Sequence, residues 1–273
     1  MNDMQKYDEL KIYRGSDIQI TKKIIVTQPT LGQIEEFGEK RYFSAIRNLT
    51  GVGADFKWQL YDQGIDYTEI SDYELFIKLL SQFVGSRKKQ YQNMPDEAKS
   101  QLTDEQIEDL CVNPLSLILK DIDLANFIPC HSDKTDGIVL YDIDNDITID
   151  QLVYQQIVDI VRKIHGLKRN NQLPGNEATK MDLIEDARDD YLKSLNEPYV
   201  SYLQPLISSL INHEGFKFNH NDVWNMKINA FFDSVKRLNK IQDAQMLMQG
   251  AYSGFTSLKG IDKERLNWVG TLT

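Results

Sequence analysis

FKFNHNDVWNMKINAFFDSVKRLNK, residues 216–240, decides how the chain is read. Its triplet His220-Asn221-Asp222 has the residue types of a phosphotransferase catalytic loop. Its Trp224, Ile228, Phe231, Val235 and Leu238 have the spacing of a packed helix. Phosphotransfer of the protein-kinase type needs an aspartate base and a metal-binding asparagine five residues later. Five residues after Asp222 stands Lys227; Asn225 comes too early and Asn229 too late. A glycine-rich loop with a following lysine strand and a later Asp-Phe-Gly are also missing from the sequence. The apolar residues recur at intervals of four, three, four and three, which is one stripe of a helix. The spacing predicts a helix over 220–240 with Trp224, Phe231 and Val235 on its buried side. Asn219 or Asn221 serves as its N-cap and Asp222 falls in its first turn, where a carboxylate is favoured.

Downstream the character changes. The tail after Gly250, AYSGFTSLKGIDKERLNWVGTLT, carries Tyr252, Phe255, Leu258 and Trp268 among Gly250, Gly254 and Gly260. It has no long period. Either it folds back on the helices, or it is an exposed binding segment. Tyr252, Phe255, Leu258 and Trp268 are the candidate partner-binding residues.

Upstream the sequence is mostly helical from Thr148 onward. Thr148-Ile-Asp-Gln151 has capping-box spacing. Ile149, Val153, Ile157, Ile160 and Ile164 then share a face, and Gly166 is a stop. NQLPGN is a loop. EATKMDLIEDARDDYLKSL is a strongly charged helix, and EPYVSYLQPLISSLI is another, interrupted by Pro205 and closed by Gly215. Residues 115–150 change character: LSLILKDIDLANFIPC is apolar, and the turn signal Lys134-Thr-Asp-Gly137 before IVLYDID predicts a small hairpin. Residues 86–103 are polar and carry Pro95, as a connector would; Thr103–Gln106 opens a short helix that stops before Pro114.

At the N-terminal end LKIYRG, DIQIT and KKIIVTQP read as short strands. Thr30-Leu-Gly-Gln33 and Ser71-Asp-Tyr-Glu74 are two further capping boxes. The first opens a helix through Ile34, Phe37, Phe43 and Ile46 that Gly51 and Gly53 stop. The second opens LFIKLLSQFV, which ends at Gly85. FKWQLYDQGIDY between them reads as strand-like or irregular. The expected organisation is 1–95 as an N-terminal α+β region, 96–147 as a connector with a short helix and the hairpin, and 148–273 as a helical region with an irregular tail. The fold class is α+β, predominantly α-helical, with a small N-terminal strand element, a central β-hairpin and a C-terminal helical bundle.

The chain has 273 residues, 41% of them hydrophobic and 26% charged, so it folds rather than staying disordered. Its formal net charge of -10 repels phosphate backbones unless a basic face is segregated. The densest basic clusters, Arg87-Lys88-Lys89 and Arg162-Lys163 with Lys168-Arg169, fall where helices end, and cations are favoured there. Two cysteines, no apolar signal core in MNDMQKYDEL and no run near the roughly 20 apolar residues of a membrane span point to a cytosolic, thiol-reduced protein.

The remaining chemical motifs are incomplete. Asp142, Asp144 and Asp146 alternate as in a calcium loop, but the glycine position holds Ile147 and the glutamate position Val153. Solvated turn carboxylates are the expected reading. Cys130-His131, with Cys111 upstream and His165, His213 and His220 scattered, lacks the paired spacing of a zinc site. Gly51-Val-Gly53 lacks the third glycine of a dinucleotide loop and follows a helix. The expectation is a non-enzymatic protein, with no catalytic, cofactor or metal residues.

IIVTQPTLGQIEEFGEKRYFSAIRNL resembles the opening of tail assembly chaperones from tailed phages and prophages of Gram-positive bacteria. The later order GNEATKMDLIEDARDDY, FNHNDVWNMKINAFFDSVKRLNKIQDAQMLMQGAYSG and IDKERLNWVG continues the resemblance, over about residues 20–95 and 148–270. Segment 105–147 lies outside it. The resemblance implies a chaperone that coats the helical tape-measure protein, recruits tail-tube subunits, works in the host cytoplasm and leaves the finished tail. Self-association is compatible with that role; nucleic acid and membrane are not expected partners. The alternatives are a structural virion component such as a tail or baseplate adaptor, a phage regulator that binds a host protein, and an enzyme using Cys130-His131 or the acidic loop 142–146.

Overall fold

The computed structural model describes residues 9–80, 91–133, 136–255 and 257–272. The cluster Arg87-Lys88-Lys89, the end of LFIKLLSQFV at Gly85, and Lys134-Thr135 of the hairpin turn lie outside the described residues. The fold is α+β and predominantly helical, with two small antiparallel sheets.

The first helix, α1 (Glu9–Arg14), replaces the strand expected for LKIYRG. Six residues with one buried side chain, Ile12, are too short for the period to separate helix from strand. Gly15 ends α1 at φ +79, and a Cβ there would stand 2.4 Å from Cγ of Lys227. The strands β1 (Ile18–Gln19) and β2 (Ile25–Val26) form a ribbon with Ile18 opposite Val26. Thr30 caps α2 (Leu31–Phe37) with both bonds of the capping box in place. Helix α3 (Glu39–Thr50) follows and turns Tyr42, Ala45, Ile46 and Leu49 inward.

FKWQLYDQGIDY, expected as strand-like or irregular, forms α4 (Lys57–Asp62). Phe56 and Leu60 lie four apart and enter a second apolar cluster with Tyr67, Leu75, Leu79 and Ile184. Gly53 answers a packing need: a Cβ there would stand 2.0 Å from the carbonyl oxygen of Tyr67. Ser71 and Glu74 exchange the capping-box bonds that open α5 (Asp72–Leu80). Thr103 and Gln106 do the same for α7 (Asp104–Cys111), after the short α6 (Asp96–Lys99).

The expected hairpin is present as β3 (Ile128–Ser132) and β4 (Gly137–Asp142), and a third strand, β5 (Ile147–Ile149), extends it to a meander. The acidic loop is the β4–β5 turn, and its description as solvated needs correcting at one residue. Asp142 is buried; Oδ1 accepts from the Asp144 and Asn145 amides and Oδ2 from the Asn145 side chain at 2.8 Å. It builds the turn from inside. Asp144 is exposed, and exposed Asp146 pairs with Lys23 at 3.0 Å.

Helix α8 (Gln151–His165) runs through the main core and buries Tyr154, Ile157, Val158, Ile160, Val161 and Ile164. Its N-cap is Asp150, whose carboxylate accepts from the Val153 amide, because Thr148 is taken into β5. Gly166 closes α8 in the left-handed conformation, as its position predicts. At the last residue of α8, buried His165 places Nδ1 2.7 Å from the Val161 carbonyl oxygen, which only accepts. Nδ1 therefore carries the hydrogen, and Nε2 accepts from the Tyr42 hydroxyl at 2.7 Å.

The charged helix α9 (Glu177–Ser194) buries only Ile184. Ion pairs hold it: Lys180 with Asp66 at 2.5 Å, and Arg188 with Asp62. Ahead of it, Arg169 grips Asp72 with two nitrogens at 2.8 and 3.0 Å. Helix α10 (Leu203–Ile211) starts later than EPYVSY suggests. Pro205 sits in its first turn, where the missing N–H has no intrahelical acceptor, so it starts the helix instead of interrupting it.

The long helix α11 (Ile228–Tyr252) corrects the expected 220–240 boundary. Residues 223–225 make a single 3-10 turn, and 226–227 are extended. That extended pair bonds to the start of α2: the Leu31 amide donates to the Met226 carbonyl at 3.0 Å, and the Ile228 amide to that of Pro29 at 3.1 Å. The Lys227 ammonium donates to the Gln28 carbonyl at 2.7 Å. Tertiary backbone bonds, with no side-chain cap, set the helix start. The inward face is as the stripe predicts: Ile228, Phe231 and Phe232 are buried, with Trp224, Val235 and Leu238 half-buried against them. The main apolar core joins residues of α1, α2, α3, α5, α8, α10 and α11 with both sheets.

Candidate partner-binding hairpin

The end of α11 is a helix-terminating motif built on Gly254, at φ +76. The Phe255 amide donates to the Gly250 carbonyl at 3.0 Å and the Gly254 amide to that of Ala251 at 3.1 Å. In this motif the residue after the glycine commonly packs on the side chain five positions back. That position is Gly250, with no side chain to meet, and Phe255 stands 91% exposed. Tyr252, in the last turn of α11, is 82% exposed.

The chain then returns along α11. Asp262 caps the short α12 (Lys263–Leu266) by accepting from the Glu264 amide. Arg265 forks onto both oxygens of Asp243 at 2.6 and 3.0 Å. Arg237 donates to the carbonyls of Trp268 and Gly270 at 2.5 and 2.8 Å, and Lys240 to that of Thr271 at 3.0 Å. Charged side chains of α11 thus clamp the tail's backbone, and the fork lowers the Asp243 carboxyl below its ordinary range.

Of the two alternatives left by the sequence, folding back is what the structure shows, and it leaves several rings exposed. The tail folds back through polar clamps, while Tyr252, Phe255 and Trp268 keep their rings outward and Leu258 is half-buried. Met246 and Val269 are exposed as well. Neither residue stands out by sequence; only the antiparallel return of the tail brings 269 back to the helix.

The other sequence motifs occupy the following places. Asn219 accepts from the Asn221 and Asp222 amides and donates to the Asp222 carboxylate at 2.6 Å. The triplet therefore shapes the turn before residues 223–225; it does not cap α11, as the sequence suggested. His220 lies edge-on to Trp224 at 6.2 Å between ring centroids. Cys130 and His131 are neighbours on β3, where successive side chains point to opposite faces, and Cys111 ends α7. His131 lies near Asp133 and Asp136 at the hairpin turn, at 3.9 and 3.7 Å. Among the described residues no helix is long and apolar enough to cross a membrane.

Helix α10, the 3-10 turn, α11 and the clamped tail together make up the part of the chain that resembles a known family. Residues 196–273 match the family model described as the YomV second domain, a phage-associated domain. The match bears on phage association and leaves the chaperone assignment to argument from the site. No curated protein and no solved structure matches the chain.

Proposed function

We propose that the protein is a non-enzymatic phage tail assembly chaperone, which binds the tape-measure protein through the C-terminal hairpin and recruits tail-tube subunits. The observation that carries this reading is the hairpin's division of labour. Polar clamps fix its backbone, yet Tyr252, Phe255 and Trp268 are left to solvent. An apolar patch held out in this way marks a protein-binding surface. A long amphipathic helix offers the apolar stripe that such rings engage. The phage-associated match over 196–273 contains the whole hairpin and adds support.

The test is capture of tape-measure protein by the full chain and by the double variant Tyr252→Ser/Phe255→Ser. Both side chains are exposed, so folding should change by no more than about 0.5 kcal/mol. Tape-measure capture should fall at least tenfold, and the protein should be missing from purified particles. Undiminished capture by the double variant would reject the hairpin as the contact. Retention in finished particles would favour a structural virion component.

A further inference from the structure

A cleft of about 420 Å³ opens between α2 and α10. Leu31, Leu203, Ile207 and Ile211 line it, Trp224 closes one side, and Glu35 and Glu39 are its acidic residues. Its size is in the range that encloses a compact apolar group. The hairpin tip has the complementary make-up, with Tyr252 and Phe255 followed by exposed Lys259. Lys259 is the only charged residue in 250–261, so the tip is positive where the cleft is acidic.

A molecule cannot place its own tip in its own cleft. Trp224 at the cleft directly precedes the start of α11, and the tip follows the end of that helix. The 25 residues of α11 hold the two apart by about 37 Å at 1.5 Å per residue. We propose that in the free protein the hairpin tip of one copy seats in the α2–α10 cleft of a second copy. The two surfaces differ, so the contact pairs a tip with a cleft. Where each copy's tip also fills the other's cleft, the pair closes as a dimer; where it does not, one tip and one cleft stay open and association continues. This pairing concerns the protein alone and does not depend on which partner the hairpin takes during assembly.

Sedimentation of the purified full chain, with no other protein present, tests it. Two variants are needed: Tyr252→Ser/Phe255→Ser removes the tip, and Ser208→Trp, at an exposed cleft position, plugs the cleft. The full chain should gain mass with concentration, and each variant alone should stay monomeric. An equimolar mixture keeps one intact tip and one intact cleft, so it should give a heterodimer and nothing larger. A full chain that stays monomeric, a variant that still associates, or a mixture that does not pair would each overturn the proposal. Circular dichroism of both variants separates loss of contact from loss of fold. Tape-measure capture by Ser208→Trp separates this contact from the chaperone reading, because its hairpin is untouched.

Discussion

Phe231 is fully buried in the core, on the face of α11 that the four-three spacing of its apolar residues predicts. Phe231→Ala should cost about 3–5 kcal/mol, the range for an aromatic core truncation; a urea midpoint equal to the parent's would refute that placement. His220→Ala, at an exposed position, should stay within about 0.5 kcal/mol of the parent in the same assay. Buried apolar residues of this kind were legible because periodicity reports which face is inward. Asp142 was not. A carboxylate in an alternating acidic run looks solvated, and only the fold of the turn shows three donors converging on it.

At the scale of elements, capping boxes were the most readable signals. Thr30, Ser71 and Thr103 each start a helix where the local four-residue pattern says, since both partners lie within one turn. Thr148 follows the same pattern and fails. A third strand claims it for the sheet, and the cap passes to Asp150. Asp150→Ala should therefore cost about 1 kcal/mol by loss of an N-cap. Thr148→Ala, on the exposed side of β5, should cost clearly less in paired thermal melts. Equal losses would restore Thr148 as the cap. The start of α11 was hidden for a related reason. Its boundary is set by backbone bonds to Pro29 and Leu31, far away in sequence, and no local pattern records them.

The whole molecule carries a pH dependence through His165. Burial among apolar side chains holds its pKa down to about 4, outweighing the opposite pull of the bond to Val161. The unfolded chain takes up this proton near pH 6.5, so above that pH both states are neutral and stability is complete. As pH falls from 6.5 towards 4, the unfolded state gains a proton that the folded state refuses, and stability declines. The decline should reach about 2 kcal/mol by pH 5, at 1.36 kcal/mol per unit of difference. Urea titrations at pH 7.5 and 5 should show it, and His165→Gln should lose most of the slope. An unchanged slope in that variant would place the acid sensitivity elsewhere. The helix-rich α+β class was readable from the summed patterns of many segments. The clamped hairpin was only half readable: its rings were visible in the sequence, but the return path that leaves them outward depends on Arg237, Lys240 and Asp243 of α11.

The bonds between residues 28–31 and 226–228 also set an order of events during synthesis. Lys227 reaches the Gln28 carbonyl across 199 positions of chain, and the neighbouring backbone bonds span nearly as much. Contacts this remote form late and slow a fold. A growing chain on the ribosome has made α2 and α3 long before residue 226 leaves the exit tunnel. The apolar faces of those helices wait without their α11 neighbours, Phe231 and Phe232, until those residues have been made. The nascent protein is thus itself a client for holding factors, and co-expression of such factors should raise its soluble yield.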